Sequence, residues 1–257
     1  MAAGDAQRAP GGQPTAASGG RTGRFIVLEG GDGAGRSTQL RLLLPWVEEM
    51  GFAAVDAGLG RSSVPRRAFR AHRRTPEAGA RTLALLYAAD LTDQVERRLR
   101  PALSSGFVVV ADRWTPTARA RCLLRGASPA WLDALLPAEP LPDLICYLDT
   151  DVAARLQRQV HKRGLPDFRE SGRDLGLHPD PLRSFVRYQH ALDERYAEFG
   201  RAYGAVWRVI PAGGDAASIQ SAIRRAVTPL LRPVAGAAGP SPEPAGGPAA
   251  ADVKARA

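Results

Sequence analysis

"FIVLEGGDGAGRSTQL", residues 25–40, passes from an apolar run into a cluster of glycines and then to Ser37 and Thr38. Gly30-Gly31-Asp32-Gly33-Ala34-Gly35-Arg36-Ser37 matches the phosphate-binding pattern G-x-x-x-x-G-K-[ST] at every position but one, where Arg36 stands for lysine. The run before the glycines reads as a strand and the residues after them as a helix, which is the setting that gives the pattern meaning. Glycines let the backbone wrap closely around a phosphate. Successive N–H groups and the helix N-terminus supply positive potential, and Ser37 offers a hydroxyl to Mg²⁺. Arg36 keeps the positive charge for the β- and γ-phosphates of a nucleotide. Its longer, forked side chain suits two oxygens rather than one point contact.

Short apolar runs recur along the chain: Phe25–Leu28, Ala53–Asp56, Phe107–Val110, Leu144–Leu148 and Val206–Ile210. Continuous apolar character suits strands buried on both faces. Helical patterns lie between them. Thr75-Pro76-Glu77 has the hydroxyl cap and early proline of a helix start, and the pattern that follows stops at Gly106. Pro45 and Pro101 are expected to bend or shorten their helices. The alternation predicts an α/β fold with a mostly parallel sheet and right-handed crossovers. Ligands bind such sheets at the carboxyl ends of the strands. "FVVVADRW" ends there with Asp112-Arg113-Trp114. Asp112 is therefore a candidate to hold Mg²⁺ through water, and Arg113 to clamp a second phosphate.

The composition bounds what else the chain does. All but two of its 35 basic residues are arginine and the net charge is +9. The arginines are spread along the chain without interleaved aromatics, so small polyphosphates explain the charge and no nucleic acid partner is expected. Residues 1–22 and 233–257 are rich in Ala, Gly, Pro and Ser and are expected to be disordered tails around a domain at 23–232. Cys122 and Cys146 have no metal-ligand spacing and read as reduced thiols. No apolar run approaches a membrane span, and the expected location is cytoplasmic.

Several motifs in order resemble the thymidylate kinase family of P-loop nucleoside monophosphate kinases over residues 24–231: "FIVLEGGDGAGRSTQ", "LLYAAD", "RPALSSGFVVVADRW" and "PDLICYLDTD". "HKRGLPDFRESGRDLG" stands where the family has its lid, and "SFVRYQHALDERYAEF" resembles the helix after it. The resemblance implies a three-layer P-loop NTPase fold, a five-stranded parallel sheet flanked by helices, with a short lid near 161–180. It implies transfer of the γ-phosphoryl group of ATP, with Mg²⁺, to dTMP, and a possible homodimer. Gly30 to Thr38 match the ATP loop, and Asp32 the carboxylate near the acceptor sugar and the metal. Tyr87 matches the aromatic that stacks on thymine, and Arg113 the grip on the acceptor phosphate. Thr117 falls where the family has a serine beside the acceptor. Arg163, Arg169 and Arg173 are the candidate lid arginines, with Arg163 placed among the catalytic candidates beside Arg36, Asp112 and Arg113.

The chain departs from the family on the acceptor side. Leu91 replaces an arginine that reads the thymine carbonyl, "AGLGRSS" replaces R-E-P-G after the second strand, and Arg121 and Cys122 replace a tyrosine and a glutamine. These departures, with Arg36 in the phosphate loop, leave two alternatives open: a kinase for another nucleotide or nucleoside acceptor, and a nucleotide-binding protein with little turnover.

Overall fold

In a computed structural model, which describes residues 22–69 and 79–231, the strand before the glycines is β1 (Arg24–Glu29). It is the centre of a parallel sheet with β2 (Ala54–Gly58), β3 (Val108–Asp112), β4 (Leu144–Asp149) and β5 (Trp207–Pro211), in the order β2-β3-β1-β4-β5. Alternate residues of β1 enter opposite cores. Phe25 and Val27 pack with Val109, Ala111 and Ile145 on one face, and Ile26 and Leu28 with Val108, Val110 and Leu144 on the other. Both faces of β1 are dry, so the central strands have no polar alternation.

All five expected strands form, with ends shifted by at most two residues. The apolar pattern stops short because β1, β3 and β4 end on acids, Glu29, Asp112 and Asp149, which still pair in the ladder. Those acids stand at the carboxyl edge of the sheet, where the site lies.

The helices are α1 (Arg36–Glu49), α2 (Ala80–Gln94), α3 (Arg100–Ser104), α4 (Thr115–Leu123), α5 (Pro129–Leu135), α6 (Val152–Arg163), α7 (Pro181–Tyr203) and α8 (Ala216–Leu231). α1 and α8 cover one face of the sheet. α2, α4 and α7 cover the other. α1 continues past Pro45 to its end. Pro101 acts differently. α2 runs into α3 through a π-helical segment, Val95–Leu99, in which the Arg100 N–H reaches back to the Val95 carbonyl. Pro101 offers no N–H to continue the ordinary ladder, and one wide turn absorbs the gap. Gly106, at φ 82°, then ends the segment.

Between α6 and α7 the chain is irregular apart from a 3₁₀ turn, Arg173–Leu175. The expected helix start at Thr75-Pro76-Glu77, and the expected tails apart from Thr22, lie outside the described residues. Among the described residues no helix is long and apolar enough to cross a membrane.

Candidate active site

An open cavity of about 500 Å³ lies at the carboxyl ends of β1, β2 and β3. The loop before α1 contributes Asp32, Arg36 and Ser37 to its wall, and the end of β3 contributes Asp112 and Arg113. α2 contributes Leu83 and Tyr87, and α4 and the turn after it contribute Arg121 and Arg125. Arg163, at the end of α6, and Asp167, Arg169 and Glu170, in the segment after it, complete the wall.

At one end of the cavity the backbone makes the site. Gly30, Gly33 and Gly35 have φ of 144°, 88° and 96°, which turns the chain sharply from β1 into α1. Gly31 is required for another reason: a Cβ there would lie 1.4 Å from Arg155 Nη1. Arg155, on α6, is 1% exposed and pairs with Asp193 on α7, so its guanidinium is a fixed floor beneath the loop.

The Arg36 guanidinium bends over this loop. Its Nη1 donates to the carbonyl oxygens of Gly30 and Gly31, and its Nε donates to Asp112 Oδ1 at 2.9 Å. Burial, then the Arg113 charge, pulls Arg36 below the usual arginine range, and Asp112 and Asp32 oppose them. Ser37 Oγ donates to Asp112 Oδ2 at 2.8 Å. Burial pushes Asp112 up, but Arg36 and Arg113 outweigh it and the carboxyl sits below its usual range. The two expected Mg²⁺ ligands are thus adjacent, hard oxygens, one of them ionised. Among the described residues no group of three or more His, Cys, Asp or Glu side chains could hold a metal. The pair suits a cation that takes its other ligands from phosphates and water, as Mg²⁺ does. Thr38, in the first turn of α1, is half-buried and off the cavity wall.

Toward the other end, side chains take over. Arg113 has φ 69°, left-handed for a non-glycine residue, just where the chain leaves β3. That turn aims its Nη2 at Asp32 Oδ1, 2.6 Å away, and its Nη1 at Thr117 Oγ1 and Tyr196 Oη. Asp32 also accepts from Arg121 Nη2, at 3.1 and 3.2 Å, and from Gln189 Nε2 at 3.1 Å. Burial pushes the Asp32 carboxyl up. Arg113, Arg121 and Arg36 outweigh that and hold it far below the usual carboxylate range.

Thr117 departs from its expectation. It is fully buried behind Arg113, donating to Glu29 Oε2 and lying 2.8 Å from Tyr196 Oη, so it positions Arg113 rather than facing the cavity. Glu29 is itself fully buried and also accepts from the Trp114 N–H. Burial raises its pKa above the usual 4.5 against the pull of Arg113.

Tyr87 does line the cavity, beside Phe69 at 5.4 Å between ring centroids. Leu91, one turn further along α2, is fully buried in the core and is not on the cavity wall. The expected lid arginines separate. Arg163 is at the cavity rim, mostly exposed, 3.8 Å from Glu170. Arg169 lines the wall and pairs with Asp174, which Arg125 also grips through two nitrogens. Arg173 is exposed and lies over the Phe168 ring, away from the wall.

A family model described as thymidylate kinase matches residues 28–175, from the end of β1 to the 3₁₀ turn between α6 and α7. A thymidylate kinase of Clavibacter michiganensis subsp. michiganensis is 40% identical over 186 residues, which is 68% of this chain and 85% of that protein. The chain belongs to the thymidylate kinase family. A thymidylate kinase of Clavibacter sepedonicus is 38% identical over 182 residues, covering 68% of this chain and 85% of its own length. A probable thymidylate kinase of Thermococcus gammatolerans is 36% identical over 146 residues, 53% of this chain and 70% of that protein.

Within this family fold, the chain carries site residues that reading the sequence did not single out as such. Asp90 on α2 is fully buried and accepts from the N–H groups of Gly60 and Ser62, and Gln94 bonds the Gly58 backbone in both directions. Together they hold the loop after β2, which places Arg61 and Leu59 on the cavity wall. Gln189 and Tyr196 reach the site from α7. One signal was available: Thr117 and Arg121 are four apart within α4, which puts them on one face of that helix, between Arg113 before it and Arg125 after it.

Proposed function

We propose that this nucleoside monophosphate kinase transfers the γ-phosphoryl group of ATP to the phosphate of dTMP, giving dTDP. Family membership supports the reaction. The observation that carries it to this chain is the shared cavity, in which the Gly30–Gly35 loop and the Ser37–Asp112 pair face Arg113 across Asp32. Phosphoryl transfer needs alignment of the two reacting groups and neutralisation of charge on the transferred one. The loop N–H groups and the start of α1 would hold the donor phosphates. Arg36 would exchange its carbonyl contacts for phosphate oxygens, and Arg113 would hold the acceptor phosphate in line. Ser37 and Asp112 would hold Mg²⁺, which when bound neutralises charge on the donor phosphates. Arg163 and Arg169 would approach from the lid, whose closure keeps water from the transferred group.

The test is release of ADP in the presence of dTMP, dUMP, dCMP and the corresponding deoxynucleosides at fixed Mg²⁺. The reading expects dTMP to be among the best acceptors. Faster transfer to a nucleoside would give the chain another acceptor. ATP binding without transfer to any of them would make it a nucleotide-binding protein.

A further inference from the structure

We infer that Arg121 reads the base of the acceptor, selecting bases that present a carbonyl oxygen over those that present an amino group. This rests on the kinase reading above and assigns the residue that gives that site its selectivity. Leu59, Phe69, Leu83 and Tyr87 make the apolar stretch of the cavity wall, the part suited to a flat heterocycle. Arg121 stands at the hydroxyl end of the Tyr87 ring, with Nη1 3.3 Å from Tyr87 Oη. Its Nη2 is held by both oxygens of Asp32. The guanidinium thus bridges the phosphate end of the cavity and the aromatic slot. Its Nε is buried and has no hydrogen-bond partner among the described residues.

A guanidinium has donors only. A base lying on Tyr87 and extending past the ring's hydroxyl meets that donor edge. A carbonyl oxygen there gains a charge-assisted bond, while an amino group leaves donor facing donor in a desolvated place. The carboxylate of Asp32 fixes Arg121 from behind, so its orientation is set before the acceptor arrives. Position 91 cannot do this work, because Leu91 is sealed in the core.

The experiment compares dTMP with dCMP, which share the deoxyribose and the phosphate but carry an oxo and an amino group at the same ring position. Calorimetric binding and kcat/KM are measured for the wild type, Arg121→Met and Arg121→Lys. In Arg121→Met the dTMP values fall roughly 10- to 100-fold, as expected for one charge-assisted bond. The dCMP values change by less than about threefold on the same grounds, and the KM for ATP stays put. Arg121→Lys, which keeps a cation against Asp32 but loses the fork, falls between and serves where the methionine variant folds poorly. Equal losses for both nucleotides in either variant would mean that Arg121 acts only by steadying Asp32, and the inference fails. A wild type that binds dTMP in preference to dCMP yet transfers to neither leaves Arg121 as the reader and overturns the kinase reading. A wild type that phosphorylates dTMP rapidly, and whose preference survives both substitutions, overturns Arg121 and leaves the kinase.

Discussion

At the end of the cavity proposed for the donor one continuous loop, Gly30–Gly35, joins β1 to α1 and presents mainly backbone. At the end proposed for the acceptor the wall is assembled from afar: Tyr87 from α2, Arg113 from the end of β3, Arg121 from α4 and Tyr188 from α7. A backbone site needs glycines at fixed spacing and tolerates little change. A side-chain site can move a function from one element to another, provided that the new residue reaches the same space. Of the family departures, Arg121 and the loop after β2 stand on the second kind of wall while Leu91 and Cys122 are buried behind it, and the first kind departs only at Arg36.

The comparison breaks most sharply at Arg36. Arg36→Ala removes the loop's main side-chain cation, and transfer is expected to fall by about 10³-fold or more. Arg36→Lys is expected to keep measurable transfer, since it restores the charge at shorter reach. Equal, negligible transfer in wild type and both variants, each well folded, would make the donor loop a relic.

Arg113→Ala tests whether the two ends are separable. Losing a charge-assisted contact costs on the order of 1.5–3 kcal/mol, or roughly 10- to 150-fold in acceptor kcat/KM. ATP affinity should change little. A parallel loss of ATP affinity would show that Asp32, released from Arg113, disturbs the donor loop as well.

Gly31→Ala probes the floor beneath the loop. Its backbone is one that alanine can adopt, so the obstacle is Arg155 alone with Gln189 beside it. The variant is expected to lose about 1–3 kcal/mol of stability by overpacking and to bind ATP more weakly. Adding Arg155→Ala should recover part of the ATP affinity, a non-additive result that thermal melts and binding titrations of the four proteins would reveal.

The smallest effect is expected at Asp90→Asn. Asparagine keeps the shape but offers one acceptor oxygen where two N–H groups and the Gln94 amide now meet a carboxylate. The cost should be roughly 1–2 kcal/mol, read as a drop of a few degrees in Tm, with dTMP KM rising modestly and ATP KM unmoved. An unchanged Tm would mean that the loop after β2 does not depend on this carboxylate.

The same contrast explains what could be read in advance. The five strands follow from local apolar runs, and the donor loop from eight consecutive residues, so both are visible in sequence. Ser37 and Asp112, 75 residues apart, could be paired because each sits at a strand or loop end on the same edge of the sheet. Thr117 could not be told from a substrate contact, because its burial depends on Glu29 and Tyr196, which arrive from β1 and α7. Asp90 looks like an ordinary helix residue until the loop after β2 folds back onto it. Arg155 is a further case: nothing local marks an arginine that will lie 1% exposed under a phosphate loop.

Among the described residues the cavity wall carries eight arginines against four carboxylates. Two consequences follow for the protein in solution. Small anions should be drawn to this wall, so phosphate or sulfate buffers should act as competitors of both nucleotides. The rate of nucleotide capture should also fall as ionic strength rises, because counter-ions screen the field that gathers polyanions at the mouth over about 10 Å at 0.1 M salt.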